Sequence, residues 1–346
     1  MGKGQLGGYC MSDVNRQWQV AHTPQSEGMC LERSCFGYAE AEIPTPGEGE
    51  VLIRNTHFAC EPLVHAMVRG VPGRIDPLPA GTVLQGHAGG QVIASNDPAF
   101  AVGDRVHGNM DWADYALSTG EGLTRAPDGF DLPTGMITLG MTGLCAYIGM
   151  FGICKPAPGD VVVVSAAAGG IGVIAGQIAK LAGAYTIGIA GGAEKSGRLT
   201  TEVGYDAAID YKNDDVAARL AELAPGGVNV FFDNVGGPVL DAVLLNIANR
   251  GRVAICGGIS GYDNPGTGVE NLIIMAQRNV MMQGFWYSEH SHLSEEGISR
   301  LGSWLQADQL KEVFDIAEGF DAVPDAARGI FSGANMGKQL VHIADA

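Results

Sequence analysis

The alternation of apolar and polar positions divides this chain into two kinds of folding unit. Between about Glu48 and Leu123, short β-branched runs alternate with turn residues, which predicts a compact β domain. From Pro158 onward, apolar runs of strand length alternate with segments of helical period. Because parallel strands need crossover helices, this alternation predicts an α/β fold with a doubly wound parallel sheet. Its strands are predicted at 161–165, 185–190, 207–210, 228–232 and 251–256, and its helices at 171–182, 194–203, 216–223 and 239–247.

The segments on either side of this alternation complete the predicted organisation. Residues 133–152 are apolar and rich in Met, Leu and Ala, which predicts one helix leading into the second unit. An amphipathic helix is predicted at 295–306, and the final strand at 338–343 is expected to return to the β domain. The strands of the β domain are predicted at 50–54, 83–84, 90–94, 103–107 and 112–116.

Composition supports a soluble two-domain protein. The chain has 346 residues, more than the about 250–300 residues at which single hydrophobic cores stop growing. A formal net charge of −17 disfavours binding to nucleic acid or to anionic membrane surfaces. The uncharged run between Asp160 and Lys180 is interrupted by glycines, so it is interpreted as strand, turn and helix rather than a membrane span.

The seven cysteines are scattered without a CxxC pair, and the N-terminus has no apolar signal-peptide core. This pattern predicts a cytoplasmic protein without disulfides. Residues 1–10, which precede a second methionine, are expected to be a leader or a disordered N-terminus.

A glycine-rich turn follows the four-valine strand and carries the strongest functional motif. Its sequence fits GxGxxG with Ala167 in the first glycine position, followed by Gly169 and Gly172. Between a strand and a helix, such glycines let a dinucleotide pyrophosphate approach the helix N-terminus. An NAD site usually has an acidic residue about 20 residues further on. Here glycines stand there, and Lys195 and Arg198 follow, which favours the 2′-phosphate of NADPH, although the neighbouring Glu194 complicates this choice.

Seven segments in a fixed order resemble the zinc-independent branch of the medium-chain dehydrogenase/reductase superfamily, nearest to its prostaglandin reductase and alkenal double-bond reductase family. That resemblance implies a Rossmann dinucleotide-binding domain at 139–304. It also implies a GroES-like β-barrel substrate domain formed by 11–138 and 305–346, and a homodimer. The segments are LGMTGLCAY (139–147), SAAAGGIG (165–172), AGGAEK (190–195), AAIDYK (207–212), FDNVGG (232–237), CGGISGY (256–262) and GANMGK (333–338).

The resemblance also implies roles for individual residues. Lys195 and Tyr211 resemble the residues that hold the adenosine ribose phosphate, and Asn335 resembles a contact near the nicotinamide end. Tyr262 matches a tyrosine that hydrogen-bonds the substrate carbonyl, and an ordinary loop tyrosine is the alternative. The other cofactor contacts implied are Gly169, Gly170, Ile171, Gly172, Asn234, Cys256, Gly257, Ile259 and Ser260.

The β domain departs from the family where it borders the substrate pocket. Relatives commonly have Tyr-Leu-Ser-x-Asp-Pro-Tyr-Met-Arg, whereas this chain has HFACEPLVH at 57–65. His57 or His65 could donate a proton, but a structural role is the alternative for each. No metal is predicted, because His87 lacks the glutamate that follows it in zinc alcohol dehydrogenases and no four-cysteine cluster exists.

Together these features predict an NADPH-dependent enzyme that reduces the C=C bond of an α,β-unsaturated carbonyl compound by hydride transfer to the β-carbon. Two alternatives remain open at this point. The same site could reduce quinones, or the divergent 57–65 segment could mark a catalytically silent NADPH-binding protein.

Overall fold

The computed structural model describes residues 14–24, 30–71, 75–263 and 268–345, except for the side chains of Tyr262 and Asp263. Residues 1–10, for which a leader or disordered segment is predicted, lie outside this description. The strands are β1 (Asn15–Val20), β2 (Phe36–Ala41), β3 (Val51–Ala59), β4 (Gln85–Ser95), β5 (Arg105–Asp111), β6 (Tyr115–Ser118), β7 (Thr124–Arg125), β8 (Val161–Val164), β9 (Tyr185–Ala190), β10 (Ala207–Asp210), β11 (Val228–Asp233), β12 (Ile247–Ile255), β13 (Met281–Gly284), β14 (Phe314–Glu318) and β15 (Lys338–His342).

Eleven α-helices connect these strands in the described part of the chain. Three short 3-10 segments (Arg33–Cys35, Tyr287–Leu293, Phe320–Ala322) and two π-helical segments (Ile148–Cys154, Leu199–Val203) accompany them. The α-helices are α1 (Pro62–Arg69), α2 (Leu132–Met136), α3 (Met141–Tyr147), α4 (Gly170–Leu181), α5 (Ala193–Arg198), α6 (Val216–Leu223), α7 (Gly237–Leu245), α8 (Ser260–Asp263), α9 (Ile273–Gln277), α10 (Ser294–Gln306) and α11 (Val323–Ser332). No described helix is both long enough and apolar enough to cross a membrane.

A six-stranded parallel sheet forms the centre of the dinucleotide-binding part. Its strand order is β10-β9-β8-β11-β12-β13, so the order reverses between β8 and β11. Successive valines of β8 point to opposite faces: Val162 and Val164 pack in one core, and Val163 packs in the other. Helix α4 covers the first face, and α6 and α7 cover the second. This arrangement confirms the predicted fold class and explains why the strand is apolar throughout.

A second sheet, of seven strands, combines β3 to β7 with the two C-terminal strands, and β1 and β2 form a separate two-stranded sheet. Its main order is β14-β15-β3-β4-β5-β7, and β6 also pairs with β3. The last strand, β15, runs parallel to β14 and antiparallel to β3. Trp18, Phe58 and Trp112 are the large side chains of its core. The predicted return of the final strand to the β domain is therefore correct.

The structure corrects several predicted elements. The single helix predicted at 133–152 is wrong, because α2 ends at Met136 and α3 begins at Met141. Gly140 makes this break possible: a Cβ there would lie 2.0 Å from the carbonyl oxygen of Met136. The helices α1, α8, α9 and α11 and the strands β1, β2, β7, β13 and β14 are not among the predicted elements. The strand predicted at 83–84 is only an isolated bridge between Val83 and Gln19.

Candidate active site

The site begins where the carboxyl ends of β8 and β11 meet at the reversal of strand order. Ser165 follows β8, and its Oγ donates to Oδ1 of Asp233 at 2.8 Å. Asn234 also binds Ser165. Its backbone N–H donates to Ser165 Oγ, and its Nδ2 donates to the Ser165 carbonyl oxygen, both at 2.8 Å. Burial raises the pKa of Asp233, but this carboxylate also accepts from the backbone N–H groups of Val235 and Gly236. Open parallel sheets bind ligands in the crevice at such a reversal.

The glycine-rich turn brings backbone amides to the start of α4. Gly169 is the N-cap of this 12-residue helix, and a Cβ on Gly169 would meet only the Ala166 carbonyl oxygen, at 3.2 Å. A Cβ on Gly172 would lie 2.4 Å from the same oxygen, so the helix lies close to the strand. Ile171 packs against the core beneath the turn. The first N–H groups of α4 thus face an accessible surface suited to an anion.

Residues from the β domain lie across this turn. The N–H of Gly337 donates to the carbonyl oxygen of Ala168 at 2.7 Å, and Gly169 and Gly337 form an isolated parallel bridge. A Cβ on Gly170 would lie 3.0 Å from both Cβ and Cδ of Lys338. The glycine at position 170 therefore makes room for the Lys338 side chain.

A pair of lysines and a tyrosine surround the end of β9. Tyr211 and Lys212 lie beside Gly191, where a Cβ would be 2.9 Å from the tyrosine ring and 3.0 Å from Lys212 Cε. The ammonium of Lys195 donates to the carbonyl oxygen of Gly333 at 2.5 Å and also to that of Asn335. Burial, with a smaller effect of Lys212, lowers the pKa of Lys195.

Two charged residues near this end are already engaged with other groups. The carboxylate of Asp210 accepts from Gly192 N–H at 2.6 Å and from Asn213 Nδ2 at 2.7 Å. Arg198 pairs with Glu202 at 2.9 Å on the exposed side of the helix. Lys195 and Lys212 are therefore the cations that face the end of β9. Lys212 is not among the coenzyme contacts expected from the sequence. Its position directly after Tyr211 could have indicated it.

Asn335 lies on the β-domain side of the glycine-rich turn. Its carbonyl oxygen accepts from the Lys195 ammonium, and its Nδ2 donates to the Gly337 carbonyl oxygen at 2.7 Å. Asn335 thus lies between Lys195 and the glycine-rich turn. Its contact with the nicotinamide end of the coenzyme stays a prediction.

The turn after β12 lies against the end of β11. Cys256 and Gly257 donate through their N–H groups to the Asp233 carbonyl oxygen at 2.8 and 3.1 Å. Ile259 N–H donates to the carbonyl oxygen of Asn234 at 3.4 Å, and Ser260 Oγ donates to that of Val235 at 2.6 Å. These bonds bring the predicted residues of this turn next to Asn234. The backbone of Tyr262 lies in α8, and its side chain is outside the described residues.

The β-domain side of the cleft carries an ion pair that the sequence reasoning did not identify. Lys338 Nζ lies 2.9 Å from Glu61 Oε1, and both side chains are mostly buried. Nearby, His87 Nε2 lies 3.2 Å from His107 Nδ1, and burial lowers the pKa of both imidazoles. Lys338 ends the GANMGK segment and Glu61 stands in the divergent 57–65 segment, so both positions were visible in the sequence but their pairing was not.

The two histidines considered as proton donors, His57 and His65, have different surroundings. His65 is fully buried. Its Nδ1 accepts from Leu31 N–H, and its Nε2 lies 3.0 Å from the Ala327 carbonyl oxygen. These contacts favour a structural role for His65 over proton donation. The ring of His57 lies tilted at 36° against that of His342, with centroids 4.9 Å apart. Burial, together with His342, lowers the pKa of His57 to about 4.

These residues fit a dinucleotide better than a catalytic metal ion. The helix N-terminus, the two close glycine approaches and the lysines at the end of β9 supply the groups that a pyrophosphate and a ribose phosphate need. Catalytic zinc instead needs about three protein ligands around an open position. Among the described residues, the one cluster of possible metal ligands is His22, Glu32 and Cys35, which lie between β1 and β2.

Family models match most of each domain, and known proteins match nearly the whole chain. A model described as the N-terminal domain of oxidoreductase matches residues 16–126, and one described as zinc-binding dehydrogenase matches residues 170–303. The chain is 36% identical over 303 residues to the NADP(+)-dependent 2-alkenal reductase of Nicotiana tabacum, covering 86% of this chain and 88% of that protein. It is 33% identical over 338 residues to the NADPH-dependent curcumin reductase of Escherichia coli K12, covering 95% and 97%. The crystal structure of CurA from Vibrio vulnificus with NADPH superposes with a TM-score of 0.88 at 31% identity, covering 96% and 100%.

Proposed function

The chain belongs to the alkenal and prostaglandin reductase family of medium-chain dehydrogenases/reductases, and from this premise we propose that it reduces conjugated C=C bonds with NADPH. Its substrates are α,β-unsaturated aldehydes and ketones. The choice of coenzyme rests on the residues at the end of β9. Glycines follow this strand where an NAD site has an acidic residue. Lys195, Tyr211 and Lys212 lie around these glycines.

The chain's own residues divide the binding of the coenzyme between them. The N–H groups of Gly170, Ile171 and Gly172 bind the pyrophosphate beside Gly169, whose own N–H donates to the Ala166 carbonyl oxygen. Lys195 with Lys212 neutralises the 2′-phosphate. Asn234 and the 256–260 turn border the nicotinamide end, because they lie on the opposite side of β8 from β9. Bound NADPH supplies the hydride that adds to the substrate's β-carbon.

Catalysis by the protein consists of stabilising the charge that develops on the substrate oxygen. Hydride addition at the β-carbon moves an electron pair onto the carbonyl oxygen and gives an enolate. Tyr262, which follows the 256–260 turn in the sequence, is assigned the hydrogen bond to that oxygen on the resemblance, and a fixed donor is most effective at this point. Protonation of the α-carbon by solvent completes the saturated carbonyl product.

The test is an NADPH-oxidation screen with enals, enones, aryl-conjugated ketones and quinones, and with NADH as a control. The expected result is oxidation of NADPH by enals or enones, and none by their saturated analogues. Oxidation by quinones alone would establish the quinone reductase alternative. Binding of NADPH without oxidation by any acceptor would establish the catalytically silent one.

Catalysis is proposed to need no zinc. His87 is followed by Ala88, and among the described residues no third possible metal ligand lies close enough to complete a site with His87 and His107. The measurement is activity of the purified protein before and after treatment with a chelator, together with its zinc content. Activity that appears only after zinc is added would contradict this proposal.

A homodimer is proposed to form through the free edge of the parallel sheet. Strand β13 is the last strand of that sheet in the described chain, and apolar side chains lie exposed around it. Pairing with a second copy would cover this edge, which otherwise favours uncontrolled association. Light scattering should give a dimer for the wild type and a monomer for the double variant Ile273→Lys/Trp286→Lys.

The protein is also proposed to be cytoplasmic, since its described cysteines are free thiols.

A further inference from the structure

The ion pair between Glu61 and Lys338 is enclosed in the cleft although the two residues are 277 positions apart. Lys338 Nζ lies 2.9 Å from Glu61 Oε1, and their side chains are 12% and 16% exposed, respectively. Burial alone would raise the pKa of Glu61, but the Lys338 ammonium together with His87 brings the pKa below its usual range. The carboxylate is therefore ionised and holds the ammonium in one position.

Neighbouring residues place this ion pair toward the nicotinamide end of the site. The stem of Lys338 lies against Gly170, at the start of α4. The pKa of Cys145 is lowered mainly by the neighbouring thiol of Cys256, which follows β12, and the charges of Glu61 and Lys338 also act on it, so Cys145 lies close to all three. Since the adenosine half lies at the ends of β9 and β10, on the other side of β8, the ion pair lies beside the half that carries the hydride.

Stability alone does not account for a buried ion pair. The cost of removing two charges from water offsets much or all of their attraction. An ammonium group has three N–H donors. Among the described residues, Lys338 Nζ has one hydrogen-bond partner, Glu61. Two donors are therefore available to a bound molecule.

A second polar group in the same cleft also lacks a partner. Nδ1 of His87 is inaccessible to solvent and has no hydrogen-bond partner among the described residues. His87 interacts electrostatically with both Glu61 and Lys338. Buried polar atoms are nearly always satisfied, so an unpartnered one next to an ammonium with free donors points to a polar ligand between the two domains.

We propose, resting on the function proposed above, that Lys338 is a catalytic residue and Glu61 its positioning residue. The Lys338 ammonium donates a hydrogen bond to the carbonyl oxygen of the conjugated substrate. When the hydride adds to the β-carbon, the C=C electron pair forms the enolate double bond and the carbonyl π pair moves to oxygen. Lys338 keeps its proton and stabilises that oxygen, and the α-carbon then takes a proton from water.

The experiment compares Lys338→Met, Lys338→Arg, Glu61→Gln and the double variant Glu61→Gln/Lys338→Met with the wild type. The double variant removes both charges and so leaves no unpaired carboxylate that could prevent folding. Lys180→Met is the matched control, because Lys180 forms an ion pair with Asp206 at 2.5 Å outside the cleft. Circular dichroism checks folding, and NADPH fluorescence gives the dissociation constant of the coenzyme independently of turnover.

Loss of the ammonium should lower kcat for an enal by about 100-fold or more, the typical effect of removing one donor to a developing oxyanion. The NADPH dissociation constant should stay at its wild-type value, and the primary deuterium isotope effect on kcat should increase, because hydride transfer becomes slower. Lys338→Arg should recover most of the lost rate, Glu61→Gln should give an intermediate rate, and Lys180→Met should match the wild type.

Two results would overturn the assignment of Lys338. One is a wild-type kcat and isotope effect in the folded double variant. The other is a rise in the NADPH dissociation constant that accounts for the whole loss, which would make Lys338 a ligand of the coenzyme phosphates. A wild-type enzyme that binds NADPH but reduces no enal or enone would instead refute the proposed function itself.

Discussion

Gly172 and Ala166 approach each other so closely that a Cβ on the glycine would lie 2.4 Å from the carbonyl oxygen of Ala166. This distance sets how near α4 begins to the end of β8, and therefore where the helix N–H groups point. The backbone of Ala166 has a φ of 46°, in the left-handed region that residues other than glycine seldom adopt. The turn is thus held by close backbone packing at both residues.

Gly172→Ala should therefore destabilise the protein, because the methyl group has no room unless α4 moves. Overpacking of this kind costs about 1–3 kcal/mol. Urea unfolding followed by circular dichroism measures it. Gly197→Ala is the matched control: it lies in α5 with nothing within 4 Å of its added Cβ, and it should be neutral or stabilising by up to about 1 kcal/mol. Equal stabilities for the two variants would contradict the steric argument.

Lys195→Met should weaken NADPH binding and leave NADH binding unchanged, since the lysine is proposed to contact the 2′-phosphate that NADH lacks. A hydrogen bond to a charged group contributes about 1.5–3 kcal/mol, which corresponds to about a 10–100-fold higher dissociation constant. Titration of nicotinamide fluorescence with both coenzymes checks this. Arg198→Met removes a nearby cation that is paired with Glu202 and should have little effect. An equal loss for NADPH and NADH would assign Lys195 to another part of the coenzyme.

Tyr262→Phe should lower kcat by about 100-fold or more, because it removes one proposed donor to the enolate oxygen. NADPH affinity should stay unchanged, since the hydroxyl is assigned to the substrate. Steady-state kinetics with an enal, together with a fluorescence titration, separates the two quantities. The exposed Tyr185 offers a control as Tyr185→Phe. Unchanged turnover in Tyr262→Phe would exclude this tyrosine from the reaction.

His107 should make the fold sensitive to acid. Burial, with a smaller effect of His87, lowers its pKa from 6.5 to about 3, so the folded state holds a neutral imidazole. The unfolded chain binds a proton already below about pH 6.5. Stability is therefore full above that pH and is lost as the pH falls toward 3, by up to about 1.4 kcal/mol per pH unit.

The variant His107→Gln should consequently lose less stability between pH 6.5 and pH 4 than the wild type does. Urea unfolding at a series of pH values gives this slope directly. His292→Gln changes an exposed histidine and should keep the wild-type slope. A slope for His107→Gln equal to that of the wild type would show that its imidazole is protonated in the folded state.

Local patterns were sufficient for the doubly wound part of the fold. Its nine predicted strands and helices between 161 and 256 all exist, and most of their ends differ by at most two residues. The exceptions are β12, which begins at Ile247 rather than at 251, and α5, which gives way to a π-helical segment after Arg198. The β domain was less predictable. Helix α1 is only eight residues long and begins at Pro62, soon after β3 ends at Ala59. It therefore has too few turns for a helical pattern of apolar residues to be recognised. The strand β13 has a mostly exposed pattern that does not resemble a buried strand.

The sequence by itself determined the fold class, the family and the position of the glycine-rich turn, because each depends on residues that are neighbours in the chain. Only the tertiary structure decided that Asn335 lies beside Lys195 and that Glu61 pairs with Lys338. Both relationships join residues more than 130 positions apart. The first connects the two domains, and the second connects two segments of the β domain whose strands β3 and β15 pair. Periodicity and spacing report the local backbone, whereas strand pairing and domain packing set which charges meet in the cleft.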